Sequence, residues 1–321
     1  MKNKPILLVA GEPNSIFLEI FFKAIKNNRY KSPLILICSE ENFKQQMKKL
    51  NFKKDLRILE INKINKQKID NKKINIINVN YQNSLNKKPN NQLVTKYIKQ
   101  SFSTAFKLIK SGFTHKFING PINKKSFLNK KFLGITEYIS NNFNQKKIGM
   151  LIYNKRLSVC PVTTHLPIKL IPNKITKKKI EEQIEIIYNF YKKELKIKPK
   201  IAVTGLNPHC ESVLEFNEDE RIVASAIKSS VKKKINVKGP FPADTVFLKA
   251  NRKKFNIILG MYHDQVLAPI KTLYEYDAFN ITMGLPFLRI SPDHGPNQKM
   301  VGKNKSNPLS LIKALNFLDQ R

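Results

Sequence analysis

Apolar residues along this chain fall into two rhythms. The first is a short continuous run, seen at Pro5 to Ala10, Pro33 to Cys38, Ile201 to Val203 and Ile257 to Leu259. An unbroken apolar stretch of that length fits a strand buried on both faces. The second is the three-to-four-residue spacing of a helix face. It predicts helices over Phe17 to Lys26, Glu40 to Leu50, Gln92 to Lys110, Thr176 to Leu195, about Glu218 to Val231, and Ser306 to Leu318. Further strands are predicted at Leu56 to Leu59, Ile74 to Val79, Lys116 to Ile118, Lys147 to Tyr153, Leu157 to Val162, Phe279 to Met283 and Phe287 to Ile290. Gly239 to Thr245 reads as a loop. Strands alternating with helices predict an α/β fold.

Polar residues sharpen the picture where the apolar runs end. Leu157 to Val162 runs into Thr163-Thr164-His165, and Ile201 to Val203 runs into Thr204-Gly205-Leu206-Asn207-Pro208-His209. Ile257 to Leu259 is followed by Gly260, read as a turn, and then by His263-Asp264-Gln265. Three of the five histidines therefore follow an apolar run. Reactive side chains of α/β proteins gather outside the carboxyl ends of the strands, so these three read as one site. Three imidazoles suit a catalytic zinc, cobalt, nickel or iron with an open position, although no short H-x-x-x-H spacing marks a metal site. Taken singly, each histidine reads more readily as a structural or surface residue than as a ligand, and only the three together, with Asp244 and Asp264 near two of them in sequence, bring the metal reading level.

Other segments have anion-binding chemistry. Asn119-Gly120-Pro121-Ile122-Asn123-Lys124 is a strand-to-helix turn with a lysine at the start of the new helix, and Gly134-Ile135-Thr136-Glu137 offers a hydroxyl at another helix start. Helix starts favour anions, though ordinary capping explains either segment alone. Arg289 is one of only seven arginines, and forked binding of a carboxylate or phosphate is a natural use for it, as is a surface ion pair. The chain has no Rossmann glycine fingerprint, no P-loop and no G-x-S-x-G.

Composition changes little. The net charge of +36 suggests nucleic acid, but lysine outnumbers arginine 52 to 7 and is spread along the chain. Arginine is the residue suited to phosphate and base-edge recognition, so no nucleic-acid partner is expected. The basic field would still attract a phosphorylated or carboxylated substrate. No apolar run approaches the roughly 18 residues of a membrane span. The three scattered cysteines, without a C-x-x-C, point to a reducing cytoplasm. Residues 5–10 are too short an apolar run for a signal peptide and read as a first strand.

Taken in order, GEPNSIFLE (11–19), NGPINK (119–124), TEY (136–138), TTHLP (163–167), GLNPH (205–209), GPFPADTVF (239–247), MYHDQVLAPIK (261–271) and NITMGLPFLRISPDHG (280–295) resemble the 4-hydroxythreonine-4-phosphate dehydrogenases of pyridoxine biosynthesis. The resemblance spans most of the chain. It implies the isocitrate and isopropylmalate dehydrogenase fold, with two α/β/α domains, a cleft between them, and a homodimer with the active site at the subunit interface. Residues 1–133 with 278–321 would form the first domain and 134–277 the second, which would hold the metal ligands and the dimer interface.

The resemblance also implies roles. His165, His209 and His263 match divalent-metal ligands (zinc, cobalt or magnesium), with one side of the site supplied by the partner subunit. Thr136, Lys271, Asn280 and Arg289 match substrate contacts. The loop 294–308, with His294, Gly295 and Asn307, would clasp NAD or NADP. Lys271 is a candidate proton carrier, and Asp244 and Asp264 are candidates to orient the histidines. The implied reaction is oxidation of 4-phosphooxy-L-threonine to 2-amino-3-oxo-4-phosphooxybutanoate, which decarboxylates to 3-amino-2-oxopropyl phosphate on the route to pyridoxal phosphate. The chain departs from the pattern at three places. Ile135 replaces a histidine, Lys299 an acidic residue, and Cys210-Glu211-Ser212-Val213 lacks the usual glycines. Ile135 keeps open a related four-carbon acid, threonate or erythronate 4-phosphate, and the fold keeps open a phosphate acyltransferase.

Overall fold

The structure, a computed structural model of the chain, describes residues 3–81, 90–123, 127, 132, 134–211 and 216–321. In chain order the main elements begin with β1 (Ile6–Val9), α1 (Phe17–Lys26), β2 (Leu34–Cys38), α2 (Glu40–Lys49), β3 (Leu56–Ile58), β4 (Ile74–Asn78), α3 (Asn91–Lys110) and β5 (Lys116–Asn119). Then come α4 (Ile135–Asn142), β6 (Gly149–Tyr153), β7 (Ser158–Thr163), α5 (Lys177–Phe190), β8 (Ile201–Thr204), α6 (Ser225–Lys232) and β9 (Val237–Phe241). The last are β10 (Ile257–Tyr262), α7 (His263–Tyr274), β11 (Phe279–Met283), β12 (Leu288–Pro292) and α8 (Leu309–Asp319). The chain is a mixed α/β protein, as its apolar rhythm predicts. No described helix is long and apolar enough to cross a membrane.

Two compact units form, Met1–Ile139 with Pro286–Arg321, and Ser140–Leu285. Both crossings lie later in the chain than residues 133 and 278, so Asn280 belongs to the second unit. In the first unit the strands run in the order β3-β4-β2-β1-β5-β12, all parallel. β1 and β2 are buried at every position, which is why their sequences are continuous apolar runs rather than alternating ones, and β5 is buried throughout as well, Lys116 and Asn119 included. α2 and α3 start where a polar side chain covers free backbone N–H groups. Ser39 accepts from Asn42 N, and Asn90 accepts from Gln92 N and Leu93 N. Gly120 is required by close approach, since a Cβ there would lie 2.2 Å from the Ala10 carbonyl oxygen.

In the second unit the order is β11-β6-β7-β10-β8-β9. β7, β10, β8 and β9 run parallel, while β6 is antiparallel to both β7 and β11. Val159, Ala202 and Ile258 from the parallel strands pack with Val266, Leu267 and Ile270 of α7 in one apolar cluster.

Three expectations need correction. Gly239 to Thr245 is not a loop: its first part is β9, paired with β8 through an irregular register, and Ala243–Val246 is a helical turn. Gly and Pro hide this strand from any periodicity reading. Gly260 is not a turn but lies inside β10; a Cβ there would come within 2.4 Å of Val266 Cγ1, so the glycine lets α7 fold back onto its own strand. The helix from Thr176 ends at Phe190 and continues as a π-helical turn, Tyr191–Leu195. Lys124, Ser212 and Val213 lie outside the described residues.

Candidate functional site

β7, β10 and β8 are parallel neighbours, so their carboxyl ends share one edge of the second unit. Each hands the chain to a histidine. His263 follows β10 directly as the first residue of α7, His165 lies just beyond β7, and His209 lies beyond β8 in a short 3-10 turn, Pro208–Cys210. His165 (φ 52°) and His209 (φ 56°) both have left-handed backbone conformations. Such a conformation costs a non-glycine residue about 1–3 kcal/mol and clusters at functional sites.

The rings of His165 and His263 are 5.6 Å apart, centroid to centroid, and inclined by 38°. Two imidazoles on one tetrahedral zinc, each at roughly 2.0–2.1 Å, place their centroids about 5 Å apart, so this pair fits a shared ion. His263 Nδ1 is 2.7 Å from Asp264 Oδ1, which fixes the ring and leaves Nε2 for a ligand. His209 stands apart from that pair, with its Nε2 4.0 Å from Asp244 Oδ2. Among the described residues of one chain, no group of three or more His, Cys, Asp or Glu is placed to hold a metal. The chain thus brings two of the three histidines together and gives each arm a carboxylate.

Lys271 and Asn280 belong to the same unit. Lys271 lies on α7, half-buried, and burial holds its ammonium below the usual lysine range. Asn280 is on β11, with its Oδ1 buried and without a hydrogen-bond partner among the described residues.

The first unit gathers a second group. Arg289 on β12 is 1% exposed. Its Nε donates to Asn119 Oδ1 at 2.8 Å and its Nη1 to Thr136 Oγ1 at 3.1 Å. Burial pushes this guanidinium down to about 10, with the Glu137 carboxylate acting in the opposite direction, so it stays charged at neutral pH. Parallel pairing of β12 with β5 sets Arg289 against the NGP turn, and the first turn of α4 presents Thr136 to it. The surface ion pair that a lone arginine might have formed is not what this residue makes.

The 294–308 loop follows β12. His294 is partly buried, its two ring nitrogens are covered and without a hydrogen-bond partner among the described residues, and burial pushes its pKa down to about 4. Its ring lies 6.2 Å from that of Phe17. Gly295 is exposed, with open space where a Cβ would stand. Asn307 Oδ1 accepts from Leu309 N at 2.9 Å and so helps start α8.

A family model described as pyridoxal phosphate biosynthetic protein PdxA matches residues 29–318. The chain belongs to that family. A 4-hydroxythreonine-4-phosphate dehydrogenase from Sulfurihydrogenibium sp. is 34% identical to it over 97% of this chain and 96% of its own. A D-threonate 4-phosphate dehydrogenase from Salmonella typhimurium is 30% identical, over 97% of each. A crystal structure of 4-hydroxythreonine-4-phosphate dehydrogenase from Klebsiella pneumoniae superposes with a TM-score of 0.84 at 26% identity, covering 98% of both chains.

This PdxA-family chain also uses residues that the sequence reading left without a role. Asn119 orients Arg289, and its place at the end of an apolar strand was the available signal. Asp219 is fully buried and accepts from Leu206 N and Asn207 N, pinning the segment before His209. Glu19 is 3% exposed and accepts from Asn304 N and Ser306 N. A carboxylate inside the apolar stretch FLEIFF was its signal.

Proposed function

We propose that this chain is an NAD(P)-dependent, divalent-metal-assisted dehydrogenase of 4-phosphooxy-L-threonine, acting as a cytoplasmic homodimer. The observation that carries the reading is the strand edge with its His165–His263 pair, in a chain alike from end to end to a named 4-hydroxythreonine-4-phosphate dehydrogenase. His165, His209 and His263 would hold the metal, zinc, cobalt or magnesium, with the set completed across two copies of the chain. When bound, the ion supplies Lewis acidity at the substrate hydroxyl, and the nicotinamide takes up the hydride.

The chain's own residues do the rest. Arg289, held by Asn119 and Thr136, presents a buried cation to an anionic end of the substrate. Asn280 Oδ1 is a buried acceptor that the substrate's ammonium would satisfy. Asp264 orients His263, and Asp244, 4.0 Å from His209 Nε2, is the candidate to orient that ring. Oxidation removes a hydride from C3 and a proton from its hydroxyl, giving 2-amino-3-oxo-4-phosphooxybutanoate. Loss of CO2 leaves an electron pair at C2. Lys271, whose burial eases release of its proton, protonates that carbon and gives 3-amino-2-oxopropyl phosphate. Two buried imidazole nitrogens of His294 face no described partner and would suit the base of a nucleotide cofactor on the 294–308 loop, beside Gly295 and Asn307.

A second reading changes the substrate to D-threonate 4-phosphate. The Salmonella relative supports it, and so does Ile135, which stands half-buried beside Thr136 where the resemblance implies a histidine. Purified protein with NAD+ or NADP+, each of the three metals and each substrate should form reduced nicotinamide with one substrate in clear preference. No reduction with any combination would overturn both readings.

A further inference from the structure

The three histidine-bearing strand ends are not held together by strand pairing alone. β10 pairs with β8 at Ile257, Ile258 and Leu259, and that pairing stops at Leu259 opposite Val203. Beyond this point no strand pairing joins the two, while β10 stays paired with β7 as far as Tyr262 opposite Thr163. The end of a ladder strips backbone groups of their partners.

One side-chain amide supplies partners there. Gln265 Oε1 accepts from Met261 N at 2.7 Å and from Thr204 Oγ1 at 2.8 Å. Gln265 Nε2 donates to the Gly205 carbonyl oxygen at 2.7 Å. On the other side, Thr163 Oγ1 donates to the Met261 carbonyl oxygen at 2.8 Å. Thr204 and Thr163 are buried, so their hydroxyls have little recourse to water. Gly260 leaves room for this arrangement, since a Cβ there would lie 3.1 Å from Gln265 Oε1.

We propose that Gln265 is the positioning residue of the histidine edge. It replaces the missing β8–β10 ladder and fixes the Gly205–His209 segment in register with His263, two residues from itself. Thr163 ties His165 to the same point through Met261. Gln265 touches no imidazole and acts through the backbones that carry them. The inference rests on the reading of His165, His209 and His263 as metal ligands.

The test uses full-length protein with three substitutions. Gln265→Met keeps the volume and removes all three bonds. Gln265→Glu keeps the two acceptor bonds and loses the donor to Gly205. Thr204→Ser keeps its hydroxyl. Hydrogen exchange in Gln265→Met should speed up at residues 204–211 and 261–265 and stay unchanged in α5. In Gln265→Glu the acceleration should be confined to 204–211. Co2+ affinity, read from the visible absorption of the bound ion, should fall by about tenfold or more in Gln265→Met. It should fall less in Gln265→Glu and stay unchanged in Thr204→Ser. Wild-type protein that binds no Co2+ would overturn the metal reading and this inference with it. Wild-type binding matched by Gln265→Met, or exchange accelerated evenly across the unit, would overturn the inference alone.

Discussion

At the scale of single residues, burial decides which groups titrate. His294 has a folded pKa near 4, against about 6.5 for an exposed imidazole. Between those values the unfolded chain binds a proton that the folded chain does not. Stability therefore falls as pH drops from 6.5 toward 4, by about 3 kcal/mol in all, and below that window both states are charged and the loss stops. His294→Asn removes the titration, so its denaturation midpoint should vary less over that window than the wild-type midpoint does. Equal slopes for the two proteins would refute the assignment. Lys271 follows the same logic with less burial, which is why the role proposed for it is proton transfer rather than fixed charge.

At the scale of elements, the proposed cofactor loop is clasped by one helix. Glu19 and Lys23 stand one turn apart on α1 and pair at 3.0 Å. Glu19 accepts from Ser306 N at 2.7 Å and Asn304 N at 3.1 Å, while Lys23 Nζ donates to the carbonyl oxygens of both residues. Burial raises the Glu19 pKa, but these bonds outweigh it and the carboxyl lies below its usual range. Glu19→Ala leaves the buried Ser306 N–H unmet and should cost about 1–3 kcal/mol. It should also raise KM for the nicotinamide nucleotide while leaving KM for the phosphorylated acid unchanged. A rise in both, or in neither, would disconnect the clasp from the cofactor. This contact joins residues far apart in sequence, and that is why it could not be read there. What could be read was local. β1 and β2 are apolar because both faces are covered, and α1 starts and stops where its spacing predicts. The three histidines were legible because each follows such a strand. Gly260 and the Gly239–Phe241 strand were not, because their conformations are set by neighbours: Val266 packing over one, and β8 pairing with the other.

At the scale of the whole molecule, the question is how many chains make a site. One chain brings His165 and His263 together, while His209 keeps company with Asp244. On the proposed reading, a metal held by all three imidazoles draws on two copies, and in a twofold dimer each copy would supply what the other lacks. The consequence is trans complementation. His209→Ala and His263→Ala should each be inactive alone and bind Co2+ weakly. A mixed dimer has one site built from the intact halves of both chains and one site missing two ligands. Random reassociation of equal amounts should therefore restore about a quarter of wild-type activity and of tight Co2+ sites. If each site were built within a single chain, every site in every mixed dimer would carry one defect, and mixing would restore nothing. The two outcomes separate a shared site from a self-contained one without requiring any structure of the dimer.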